Sequence, residues 1–159
     1  MQKQAESIFG REKDIFYMRQ ALKQAQKSLL KDEVPVGAVI VDAQGIIIAQ
    51  AMNLVESTHT QHAHAESLAI AKAGKKIGDW RLEGCFVYVT LEPCAMCMHL
   101  ILLSRLKGLV YGASSPLFGF HLDNSLAVQL YKKSTLTVVG GVNQEEAGKL
   151  LRQFFKTKR

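Results

Sequence analysis

The chain has 159 residues, 48 % apolar and 21 % charged, which is a globular balance over one domain's length and excludes a disordered, collagenous or low-complexity protein. Twenty Lys and Arg against fourteen Asp and Glu leave a net charge of +6, which suits a polyanionic partner without naming one. Three cysteines do not make a disulfide framework, the start from Met1 to Ser7 lacks a signal-peptide core, and no apolar run approaches the ~18 residues of a membrane helix. The expectation is a cytoplasmic protein with no membrane contact.

Residues 1–13 are polar and read as a loose N-terminal extension, and residues 14–159 as a single domain. Ile15, Met18, Leu22, Ala25 and Leu29 recur at helical spacing, so a helix is expected from Asp14 to Leu30 with Asp14 as its N-cap. Arg19, Lys23, Lys27 and Lys31 form a stripe on its other side, which is either a solvated surface or a contact with nucleic acid. Ala38-Val39-Ile40-Val41 and Ile46-Ile47-Ile48-Ala49 flank the turn residues Asp42 to Gly45, the pattern of a hairpin of two buried strands. Asn53 to His62 is loop-like, and His64 to Ile77 reads as a second helix.

Cys85 to Leu91 is a strand that ends at Pro93, after which a helix is expected from Cys94 to Leu103. Gly108 to Gly112 is a short strand, Ser114 to Asn124 a loop holding Phe118 and Phe120, and Leu136 to Val139 a further strand. A last helix, Gln144 to Phe155, leads into the basic tail Lys156 to Arg159. Helices alternating with strands after a hairpin predict an α/β sandwich on a mixed sheet of about five strands.

Two short motifs carry chemistry: His64-Ala65-Glu66 opens one helix, and Pro93-Cys94-Ala95-Met96-Cys97 opens another. One imidazole and two thiolates suit a catalytic zinc that keeps a fourth position open for water. Cys94 and Cys97 are three apart, so in a first helical turn both sulfurs face one way, and the helix N-terminus favours their thiolate form. Two thiolates cancel the zinc charge, and a water bound there is acidic enough to supply hydroxide near neutral pH. Glu66 need not bind metal and is placed to shuttle a proton from that water to a ring nitrogen and then to a leaving amine. Hydrolytic removal of an exocyclic amine from a nucleobase needs these parts.

Other readings stay open. A structural zinc needs a fourth protein ligand, for which His62 and Cys85 are the nearby candidates in sequence, although Cys85 fits a core residue and His62 a loop. His59, His99 and His121 have no assigned role.

The pattern H-x-E…P-C-x-x-C resembles the zinc-dependent cytidine/adenosine deaminase superfamily, for which it is a known signature. From about Tyr17 to the C-terminus the chain is similar to the superfamily's bacterial tRNA-specific adenosine deaminase branch. The similarity rests on Met18-Arg19-x-Ala21-Leu22, Glu33 to Ala38, Asn53, Ala63 to Glu66, Tyr88 to Cys97 and Phe154-Phe155 with its basic tail. The resemblance implies a cytidine-deaminase-like three-layer α/β/α sandwich with a mixed five-stranded sheet. It also implies conversion of adenosine to inosine at the first anticodon position of tRNA, one Zn2+ per subunit and a homodimer that meets the anticodon loop.

Carried over to this chain, the resemblance implies His64, Cys94 and Cys97 as zinc ligands and Glu66 as the proton shuttle. It implies Asn53 as a hydrogen-bonding partner of the nucleoside and Val36 and Leu91 as pocket walls, and the Ala65 and Cys94 amides, at their helix starts, as helpers in holding water or base. Phe155, Lys158 and Arg159 match a segment that touches the anticodon loop, where aromatic faces stack on splayed bases and cations meet phosphates. A zinc-dependent deaminase of a small base or nucleoside, of guanine or cytosine type, and a structural-zinc RNA-binding protein are the competing readings. One stretch departs from the family. Its Gly-Ala-x-Asp loop with a Lys- and Gly-rich continuation is replaced by Gly112-Ala113-Ser114-Ser115-Pro116-Leu117-Phe118-Gly119-Phe120-His121.

Overall fold

The computed structural model describes residues 3–123 and 134–158. In chain order the elements are β1 (Lys3–Gln4), α1 (Arg11–Leu30), β2 (Gly37–Val41), β3 (Ile47–Met52), α2 (Val55–Thr58) and α3 (Ala65–Ile77). They continue with β4 (Phe86–Leu91), α4 (Ala95–Leu103), β5 (Gly108–Ala113), a single 3-10 turn at Phe120–Leu122, β6 (Thr137–Val139) and α5 (Gln144–Lys156). The strands form one sheet in the order β1-β6-β5-β4-β2-β3. β1, β6, β5 and β4 run parallel, while β2 is antiparallel to both β4 and β3.

Alternation along the strands divides the core into two layers. On β2 and β4, Ala38, Ile40, Val87 and Val89 pack against Ala65, Ala69 and Ile70 of α3 and Met98 and Ile101 of α4. Their neighbours Val39, Val41, Phe86 and Tyr88 face Tyr17, Met18 and Leu22 of α1 and Ala147 of α5. The three layers are those expected. Gly37 lets α1 lie this close to the sheet, because a Cβ there would fall 2.0 Å from the Ala21 carbonyl oxygen.

All five expected strands are present, and a sixth, β1, joins the sheet edge beside β6. The segment expected to be loose is therefore tied down before α1, and Ile8 and Phe9 pack on the α1 side of the core. α1 starts at Arg11 after Gly10, three residues earlier than the apolar spacing predicts. Asp14 is not its N-cap. It is 1 % exposed inside the helix and accepts hydrogen bonds from Ser7 Oγ, Ile8 N, Phe9 N and the Tyr88 hydroxyl, which stitch the N-terminal segment and β4 to α1. Four donors satisfy a carboxylate that burial would otherwise penalise.

Candidate active site

The C-terminal end of β4 and the N-termini of α3 and α4 meet at one corner. His64 is the N-cap of α3 and Cys94 the N-cap of α4, both in extended conformation. Their carbonyls accept from Leu68 N and Met98 N, so each helix starts beside its candidate ligand and turns its unpaired N–H groups towards the site. Cys97 lies three residues into α4 and is buried.

Cys94 Sγ is 3.7 Å and Cys97 Sγ 3.4 Å from His64 Nδ1, and all three ligand atoms lie within 4.8 Å of one another. A tetrahedral zinc with ordinary bond lengths holds nitrogen and sulfur about 3.5 Å apart. The three residues therefore fit that ion, and among the described residues no other group of three His, Cys, Asp or Glu could hold a metal. His62 is exposed and outside the group, and Cys85 is a buried core residue beside Leu82 and Val87.

Electrostatics at this corner are uneven. Cys97 donates to Cys94, and that bond, with help from His64, lowers the Cys94 thiol to about 4 while raising Cys97. The same contact with Cys94 raises His64. Glu66 is 4 % exposed, and burial pushes its carboxyl up to about 7 against the opposing pull of its own N–H and the nearby His64.

A cavity of about 380 Å³ opens in front of these groups, lined by His64, Glu66 and Cys94. Four of the residues expected to bind substrate, Asn53, Val36, Ala65 and Leu91, line it as well. Asn53 is oriented by local bonds, its Nδ2 donating to Val34 O and its Oδ1 accepting from Val55 N. Phe155 and Lys158 do not line the cavity. Phe155 is exposed and packs edge-on against Phe154, while Lys158 Nζ is 2.7 Å from Asp32 Oδ2. Asp32 precedes the cavity residue Glu33 in the chain but does not itself line the cavity. Arg159 and Asn124 lie outside the described residues.

Sequence reasoning passed over two carboxylates. Glu33 is fully buried, and its carboxylate accepts Ser57 N and Ser57 Oγ, each at 2.6 Å, and Glu56 N at 3.1 Å. Burial alone would raise it, but the Ser57 and Glu56 donors outweigh burial and hold it below the usual carboxylate value. Glu92, 3 % exposed, accepts Ser115 N at 2.9 Å, His121 N at 3.2 Å and a contact from His121 Nδ1 at 2.5 Å. A charge placed between the apolar strand β4 and Pro93 was the available signal, since so placed it must find donors or solvent.

The comparisons agree with this geometry. The family model described as the cytidine and deoxycytidylate deaminase zinc-binding region matches residues 11–113. The chain belongs to that family. Within the deaminase family, the tRNA-specific adenosine deaminase of Bacillus subtilis is 46 % identical over 90 % of this chain and 89 % of its own length. A chain solved in a study of A-to-I editing by tRNA:A34 deaminases at the wobble position of transfer RNA is 35 % identical, with a TM-score of 0.77, covering 86 % of this chain and 99 % of that one. The guanine deaminase of Nitrosomonas europaea superposes with a TM-score of 0.78 at 24 % identity, covering 88 % of this chain and 83 % of that one. Deaminases of two named substrates thus superpose equally well, and backbone shape does not choose between them. Among the described residues no helix is long and apolar enough to cross a membrane.

Proposed function

We propose that this deaminase converts adenosine to inosine by hydrolysis at the first anticodon position of tRNA. The observation that carries the chemistry is Glu66, a buried carboxyl beside the His64, Cys94 and Cys97 set and raised to about 7. Such a group changes protonation near neutral pH, as a proton shuttle must. His64, Cys94 and Cys97 would hold zinc, which when bound supplies an acidified water near neutral pH. Glu66 takes a proton from the attacking water and passes it to a ring nitrogen as the C–O bond forms at the amine-bearing carbon. It then takes the proton of the new hydroxyl and delivers it to the amine as the C–N bond breaks, so that ammonia leaves and the carbonyl of inosine remains. Val36 and Leu91 are the apolar walls against which the base lies, and the fixed Asn53 amide hydrogen-bonds the nucleoside. The Ala65 amide, at the start of α3, supports water or base.

The 46 % identical relative supports the RNA substrate, as does the surplus of cations. Arg19, Lys23, Lys27 and Lys31 are all exposed, and Phe155 and Lys158 are exposed in the basic tail whose sequence ends in Arg159. The chain works in the cytoplasm as a homodimer. α4 contains no Asp, Glu, Lys or Arg and leaves Met96 and Leu103 exposed, an apolar surface beside the site that a second copy would cover.

The test is inosine formation in tRNA carrying adenosine at the first anticodon position, with free adenosine, cytidine and guanine assayed in parallel. Inosine in the tRNA alone supports the reading. Turnover of a small substrate alone overturns it in favour of a base or nucleoside deaminase, and zinc binding without turnover favours the structural-zinc protein. Sedimentation at twice the chain mass, reduced to the chain mass by Leu103→Glu, tests the dimer.

A further inference from the structure

Phe118 is 76 % exposed, yet it is one of the residues lining the active-site cavity. With its equally exposed neighbour Leu117 it leaves an apolar surface in water beside the mouth of the site, where a bound ligand can cover it. The segment that carries it is held from three sides. Glu92 accepts Ser115 N and His121 N, Phe120 N donates to Pro93 O at 2.8 Å, and Gly119 N closes a turn onto Ser115 O at 3.0 Å. The ring of Phe120 is instead half-buried against the core and meets Tyr111 edge-on, with centroids 6.1 Å apart. Gly119 has no room for a side chain, because a Cβ there would lie 2.5 Å from the Glu92 carboxylate.

These anchors attach the Phe118 turn directly to Leu91-Glu92-Pro93-Cys94, the residues that form the base wall and one metal ligand. A ring carried on a backbone held this way has less freedom to lose when something stacks on it than one on an untethered loop. The cavity, about 380 Å³, suits one nucleoside, so a polynucleotide must leave it past the rim on both sides of the reacting base. Single-stranded bases next to a flipped nucleotide are unstacked and take aromatic faces as substitutes.

We infer that Phe118 is a stacking platform for the base of one nucleotide flanking the target adenosine, and so a specificity residue for a polynucleotide over a free nucleoside. The inference rests on the proposed RNA reading of the site. Glu92 acts in it only as a positioning residue, since it reaches the substrate through the turn it anchors.

The experiment compares wild type, Phe118→Ala, Phe118→Leu and Phe118→Trp on tRNA assembled by ligation, with an intact base or an abasic site at each flanking position in turn. Stacking on one base predicts a five- to hundred-fold loss of kcat/KM for Phe118→Ala on intact tRNA, on the order of what losing one base–aromatic stack costs. The loss falls mainly on KM. Phe118→Leu is expected to lose as much, although it keeps an apolar group, and Phe118→Trp to retain activity. On tRNA abasic at the stacked position, wild type and Phe118→Ala converge.

Equal kcat/KM for wild type and Phe118→Ala on intact tRNA overturns the inference. So does an undiminished difference on both abasic substrates, or a shift of Phe118→Ala to a smaller species in sedimentation, which would make the ring a contact between copies. If wild type forms no inosine in intact tRNA, the proposed function fails and the platform with it. If wild type does so and the variants do not differ, only the platform fails.

Discussion

Three buried carboxylates surround the cavity, and they differ in how many donors they face. Glu33 and Glu92 on the walls each accept from three neighbouring donor groups, backbone N–H groups and a hydroxyl or imidazole. Glu66 at the floor is equally hidden but has only its own N–H and Cys97 to bond, and its carboxyl rises to about 7. Burial is thus common to all three, and what separates a structural carboxylate from a reactive one is whether its charge is already satisfied. The two donor-saturated carboxylates hold loops. The undersaturated one is raised towards neutral pH, which suits the proton-shuttle role proposed for Glu66.

The largest expected effect breaks the reactive side of that contrast. Glu66→Gln keeps the shape and removes the proton traffic, so inosine formation is expected to fall by about 10²–10⁴-fold, with zinc content by atomic emission unchanged. Loss of zinc in this variant would instead make Glu66 part of the metal site. Cys97→Ser should act on the neighbouring function, reducing zinc retention by on the order of a hundredfold or more and activity in proportion, as read by metal content after dialysis.

On the structural side, Glu33→Gln is expected to destabilise the fold by on the order of 1–3 kcal/mol in denaturant titrations, because it leaves a buried donor set without its anion. The carboxyl of Glu33 is lowered in the folded state. Its contribution is therefore complete above the ordinary glutamate value and is lost as pH falls through the lowered one. The gap between wild type and Glu33→Gln should close on acidification. A gap that is constant with pH would show that packing, not charge, holds the 54–57 turn.

The smallest effect belongs to a carboxylate outside the cavity. Asp32 pairs with Lys158 in the open, their side chains 74 % and 44 % exposed, so Asp32→Asn should change stability by less than about 1 kcal/mol. Deleting Lys156 to Arg159 should nevertheless weaken tRNA binding and flatten its dependence on salt by about one unit of log–log slope for each phosphate contact removed. Unchanged binding and slope would leave the tail with no part in recognition.

Much of the reacting corner was legible in the sequence. His64, Glu66, Cys94 and Cys97 belong to two local motifs, each opening a helix. Helix geometry alone places Cys94 and Cys97 on one face, whereas the lowering of the Cys94 thiol comes first from the Cys97 bond and then from His64. The walls were less legible. Asn53, Val36 and Leu91 are ordinary loop and strand residues that only the resemblance singled out, and Glu33, Glu92 and Phe118 carried no assigned role. Asp14 shows why: an aspartate at the start of an apolar periodicity reads as an N-cap, yet its partners Ser7, Ile8, Phe9 and Tyr88 convert it into a buried anchor. Lys158 and Asp32 meet across 126 residues of chain, and no local pattern foretells that.

By itself, then, the sequence determined the four longer helices, five of the strands, the alternation that splits the core into two layers and the donor set suited to zinc. Each of these follows from spacing within one or two turns of chain, while the short α2 fell in a segment that reads as loop. Tertiary structure alone decided the sixth strand, the anchoring of the N-terminal segment, the saturation of Glu33 and Glu92 against the exposure of Phe118, and the raised carboxyl of Glu66. Those depend on which donors, ring faces and apolar walls remote segments bring together, because the cost of a buried charge is set by its neighbours in space.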